Sequence, residues 1–143
     1  MSQLTLAAAQ TIITAALAHA RAHKFAPMGV VVLDARGVMK AYAAEDGTAL
    51  RRADIATGKA YGALAMGVGS RTLGKRAEER PHFIGAVNNA IGGSMIPVPG
   101  GVLIRGDDRS IIGAVGVTGD TSDNDEAAAL AGLAAAGLTA DPS

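Results

Sequence analysis

The chain predicts an α+β fold, an antiparallel sheet with helices packed on it, and three observations carry that expectation. Short apolar runs rich in β-branched residues follow one another across turns of a few residues, which makes neighbouring strands antiparallel. Longer segments with apolar residues three and four positions apart lie before, between and after those runs. The 143 residues fit a single domain over 1–143 with one core, and no repeat, low-complexity tract or interdomain linker interrupts them.

Taken in order, Thr5 is placed to cap a first helix reaching His23, with Leu6, Ile13, Leu17 and Ala20 on one face. At about 100° per residue, His19 and His23 fall beside Ile12 on a second face, so the two imidazoles are neighbours. Pro27 ends the pattern. Met28–Asp34 is a β-branched run, Ala35-Arg36-Gly37 turns the chain, and Val38–Ala44 returns as the second strand of a hairpin. A second helix is expected from about Leu50 to Met66, with Leu50, Ala53, Thr57, Ala60 and Leu64 on one face and Ile55, Gly58, Gly62 and Met66 on another. Helical glycines cost about 1 kcal/mol each against alanine. The glycine face is therefore expected to press on a neighbour.

Gly67, Gly69 and Ser70 break that helix, Arg71–Arg80 forms a short charged helix or ordered loop, and Pro81 opens another helical stretch to Ile91. Three strands are expected next, at Met95–Val98, Val102–Arg105 and Ser110–Thr118. The last is apolar on both faces, Ile111, Val115 and Val117 against Ile112 and Ala114, which places it centrally in the sheet. Gly113 and Gly116 within it mark the close approach of another element. A final helix runs from about Asp125 to Ala136. Asp123 with Glu126 makes a capping-box-like start, Ser122 with Asp125 is the alternative, and Gly137 suits the stop.

Composition excludes several classes of function. Basic and acidic residues number 13 each, so no overall field draws the chain to nucleic acid or an anionic membrane. Without cysteine there is no disulfide, thiolate nucleophile or Cys-ligated zinc, which is compatible with a reducing, cytoplasmic setting. The N-terminal segment lacks a basic n-region and reads as a mature helix, and no apolar stretch of membrane-spanning length runs uninterrupted by charge. Neither GxGxxG after a first strand, a P-loop nor a GxSxG elbow is present, which disfavours nucleotide binding and serine hydrolysis. Abundant glycine and few aromatics imply a core of small residues packed by close backbone approach, of a kind that often takes a partner subunit.

Three segments, LRRADIATGKAYGAL at 50–64, PVPGGVLIR at 97–105 and IGAVGVTGDTSDNDEAAALAG at 112–132, resemble the GlcG/HbpS family of small haem-binding-type domains. That family includes the C-terminal domain of PduO-type corrinoid adenosyltransferases. With the first helix and the VVVLDARG hairpin, the resemblance covers nearly the whole chain. It implies a five-stranded antiparallel sheet flanked by helices, similar to profilin or PAS architectures, assembled as a homo-oligomer, a dimer or octamer. It also implies a haem or other tetrapyrrole ligand and a role accessory to a catabolic pathway. In the PduO-type domains a histidine of the N-terminal region holds the haem, and His19 or His23 is the match by location for an axial ligand.

The residues themselves leave alternatives open. His19 and His23 also read as a solvated pair favoured by a helix C-terminus. No metal site is expected, because a mononuclear centre needs more ligands at defined spacing and only His19-x-x-x-His23 offers any. Arg51 and Lys59, within the first motif, are the candidates for holding a carboxylate, whether a propionate or a small organic acid. Asp120, Asp125 and Glu126 in the acidic loop are the acid/base candidates of a cofactor-independent lyase, isomerase or hydrolase acting on a small carboxylate-bearing metabolite. The plainer reading of that loop is helix capping and an Asx-type turn.

Overall fold

The computed structural model describes residues 3–143. In chain order these form helix α1 (Leu6–Ala22), strands β1 (Gly29–Asp34) and β2 (Met39–Ala44), and helices α2 (Arg52–Met66), α3 (Ser70–Glu79) and α4 (Pro81–Ala90). Strands β3 (Gly101–Arg105) and β4 (Ile111–Thr118), helix α5 (Ser122–Ala135) and strand β5 (Thr139–Asp141) complete the order. The strands make one five-stranded antiparallel sheet in the order β2-β1-β4-β3-β5. β4 is its centre, as its two apolar faces required.

Both faces of the sheet are covered. Val30, Val32, Val102, Ile104, Val115 and Val117 point to one side and pack with Ala9, Ile12, Ile13 and Ala16 of α1 and Ala128, Ala129 and Leu133 of α5. Val31, Leu33, Leu103 and Ala114 point to the other and pack under Ala56, Ala60 and Ala63 of α2. The approach of α2 is set by glycine. A Cβ on Gly116 would lie 1.9 Å from the Ala56 carbonyl oxygen, and one on Gly101 would lie 2.3 Å from that of Lys59.

Several expectations need correction. Met95–Val98 is not a strand. Pro97 within it and Pro99 just after it remove ladder donors, and it lies instead across α2, where Ile96 N donates to the Gly58 carbonyl at 3.1 Å. This segment is the neighbour that Gly58 and Gly62 make room for, since a Cβ on either would meet Ile96 or Met95 within 3 Å. The fifth strand is β5, after the stop at Gly137, and Arg105 holds it through Asp141 at 2.9 Å. Simple alternation along β4 also fails. A register shift opposite Ile104/Arg105 turns Ile112 to the side of Val115 and Val117, and leaves Ile111 against the α2 layer.

On α1 the buried stripe is Ala9, Ile12, Ile13, Ala16 and Ala20, whereas Leu6 is exposed, because α5 docks closely where Gly132 faces Ile12. Leu50 precedes α2 and is 93% exposed. α5 starts earlier than expected and is capped by Thr121, whose hydroxyl accepts from Asn124 N at 3.2 Å, rather than by Asp123 or Ser122. Among the described residues, no helix is long and apolar enough to cross a membrane.

Candidate functional site

The end of α1 carries the first candidate cluster. Helical spacing brings His19 and His23 into a stack with ring centres 4.0 Å apart, and Phe25 closes on both rings at 5.8 and 5.6 Å. His23 Nδ1 lies 2.9 Å from the His19 carbonyl oxygen. A carbonyl only accepts, so Nδ1 carries the proton in this contact, and in the neutral imidazole Nε2 then keeps the lone pair with which the ring ligates a metal. The His19 imidazole is held below its ordinary pKa, first by partial burial and then by the charge of His23.

The chain around Phe25 is tied down on three sides. Phe25 N donates to the Ala20 carbonyl at 2.9 Å. Arg21 Nη2 donates to the Phe25 and Ala26 carbonyls at 2.6 and 3.1 Å, while its Nε meets Glu45 at 2.7 Å. Glu45 in turn accepts from Met28 N at 2.9 Å. Ala26 N donates to Asp120 Oδ2 at 2.6 Å.

Asp120 leads to the second cluster. Its own N–H donates to Asp125 Oδ1 at 2.9 Å, and the other oxygen of Asp125 takes Lys59 Nζ at 2.9 Å. Lys59 and Asp125 are each 2% exposed, and Nζ also donates to the Val117 carbonyl of β4 at 2.9 Å. Burial pushes the Asp125 carboxyl up and the Lys59 ammonium down, and their mutual attraction only partly offsets this. The Lys59 side chain can lie there because Gly100 has no side chain in its way, and Gly101 makes room for the Lys59 backbone. The three segments singled out in the sequence thus meet at this pair. Beside it, Arg71 of α3 bonds both oxygens of Glu126 at 3.1 and 3.2 Å and also reaches Asp123, contacts that hold its guanidinium fully charged. Arg71 lines a groove of about 650 Å³ with Lys75, Pro97, Val98 and Pro99.

The structure therefore brings Asp120, Asp125 and Lys59 together, sets Glu126 against Arg71, and places His19 and His23 one hydrogen-bonded segment away. Arg51 stands apart: it is 77% exposed at the start of α2 and pairs with Asp54 at 2.8 Å. Sequence reasoning did not single out Arg21 and Glu45 as members of the imidazole cluster, nor Arg71 as the partner of the acidic loop. Phe25, two residues past His23, had a local signal. Glu45 and Arg71 had none, because their partners lie far away in the chain.

The family model described as haem degrading protein HbpS-like matches residues 4–134. Among solved structures, a double mutant of the Streptomyces reticuli HbpS is 27% identical, with a TM-score of 0.81 over 94% of this chain and 87% of that one. A PduOC:haem complex is 21% identical, with a TM-score of 0.86 over 96% and 98% of the two chains. The Klebsiella pneumoniae protein ORFY is 24% identical, with a TM-score of 0.84 over 96% and 93%. The last two likenesses speak for the fold. No curated protein matches the chain significantly.

Proposed function

The chain belongs to the HbpS-like family, and from that premise we propose that it binds haem or a related tetrapyrrole, with His19 or His23 as the axial ligand. The observation that carries this reading is the hydrogen bond from His23 Nδ1 to the His19 carbonyl, which leaves Nε2 free to ligate. The neighbouring Phe25 ring offers an apolar face beside the pair. The chain would hold the iron through one imidazole, and the iron would supply redox and oxygen chemistry when bound. The pair lies at the surface, so a second copy of the chain is the natural source of the remaining apolar wall, in keeping with a homo-oligomeric, cytoplasmic binding protein accessory to a catabolic pathway.

Both oxygens of Asp120, Asp125 and Glu126 already accept hydrogen bonds within the chain. This supports structural work for these acids over the proton transfer of the enzyme alternative. It likewise favours a structural role for Lys59, and Arg51 is exposed and paired with Asp54.

Addition of haemin is expected to give a shifted Soret band that changes on His19→Ala or His23→Ala substitution. An unchanged spectrum in both variants would remove these axial assignments. Mass measurement by light scattering, with and without haemin, tests the assembly.

A further inference from the structure

We infer that Asp120 is a positioning residue for the imidazole pair, a role that rests on the haem reading for its ligand but not for its geometry. The next residue, Pro27, has no N–H, and Met28 N is taken by Glu45, so between Phe25 and β1 the backbone donor left for Asp120 is that of Ala26. Asp120 Oδ2 takes that donor at 2.6 Å, across 94 residues of chain. Arg21 takes the carbonyls on either side of the same amide, so the peptide unit linking Phe25 to Ala26 is held at both its N–H and its C=O groups. The Phe25 ring, packed on His19 and His23, follows that unit.

Asp120 is itself a fixed post. Its Oδ1 is bound by Thr121 N and Asn124 Nδ2, both at 2.8 Å, which stops the carboxylate from rotating. Its backbone N–H is bound by Asp125, and Asp125 is locked in the interior by Lys59. The segment after α1 is thereby tied to the end of β4, the central strand, through the Asp120 carboxylate, beside the Glu45 carboxylate that joins Arg21 to Met28. Asp123, three residues on, offers a control: it is exposed, bonds Arg71, and shares no hydrogen bond or ion pair with the segment before β1.

The test uses the histidine ring resonances of the ligand-free chain, followed by NMR through a pH titration, together with haemin affinity from the Soret band. Asp120→Ala is expected to shift the His19 and His23 ring signals and to weaken haemin binding about tenfold, the scale of losing a group that orients a metal ligand. Asp120→Asn keeps one acceptor oxygen and is expected to recover part of both effects. Asp123→Ala is expected to leave both unchanged. Unaltered ring signals in Asp120→Ala, with the β-sheet amide spectrum intact, would overturn the proposal, and if that variant does not fold, Asp120→Asn is judged by the same criterion. Should the unmodified chain take no haemin, the haem reading falls while the ring signals still decide the positioning.

Discussion

Lys59 is the residue on which most of the distinctive sequence converges. A lone ammonium in the interior is costly, and here Asp125 and the Val117 carbonyl satisfy it while Gly100 leaves room for its side chain and Gly101 for its backbone carbonyl. Burial displaces both groups away from their charged forms, so the pair specifies where α2 and α5 sit more than it stabilises them. Asp125→Ala, which strands the ammonium, is expected to lower the unfolding free energy in urea by about 3–5 kcal/mol. Replacing both partners at once, Lys59→Met with Asp125→Leu, is expected to cost clearly less. Asp120 makes a different prediction. The Ala26 and Thr121 N–H groups and the Asn124 amide hold its carboxyl below the ordinary aspartate range. Because the folded value is the lower one, its contribution is complete above the unfolded value of about 3.9 and disappears as pH falls through the folded value. The gap in urea midpoint between the unmodified chain and Asp120→Asn should therefore be flat from neutrality to about pH 5 and close in stronger acid.

Among the elements, the glycines announced close contacts without naming the partners. Gly116 in β4 meets the Ala56 carbonyl and Gly58 in α2 meets Ile96 and Ser94, each at a distance no Cβ can share. Gly116→Ala is expected to destabilise by about 3 kcal/mol or more, as overpacking against backbone does, read as a drop in thermal midpoint. The helices and four strands were legible because apolar period and turn residues agree locally. Where they disagree, tertiary contacts decided. Met95–Val98 has a strand's composition, yet the notches at Gly58 and Gly62 claim it as a cover for α2. Thr139–Asp141 is too short to announce itself and exists because Arg105 reaches across to Asp141. In the acidic loop, helix capping was foreseeable in kind, but Thr121 performs it, while Asp123 and Glu126 turn to an arginine that no local pattern connects to them.

On the scale of the whole molecule, the sheet with α1, α2 and α5 forms two well-filled layers, and α3 and α4 stand outside them. Their own cluster is small, centred on Leu73, Ile84 and Met95, and Ile84 is the one buried residue of α4. Few buried contacts mean a low local opening energy. Hydrogen exchange is expected to be fastest, among the helices, in Pro81–Ala90 and slowest in the strands β1 and β4; equal protection in α4 and α2 would contradict this. The imidazole neighbourhood was legible from helical spacing alone, but its bracing was not, since Glu45 and Asp120 reach it from elsewhere in the fold. One contact at the edge of the outlying pair has a practical side. The Tyr61 hydroxyl donates to the Ile91 carbonyl, just past α4, at 2.5 Å. The chain has two tyrosines and no tryptophan, and the other phenol, Tyr42, lies on β2 against Gly29. The near-ultraviolet emission of the protein therefore contains an intrinsic optical reporter for the undocking of α4, readable without any attached dye.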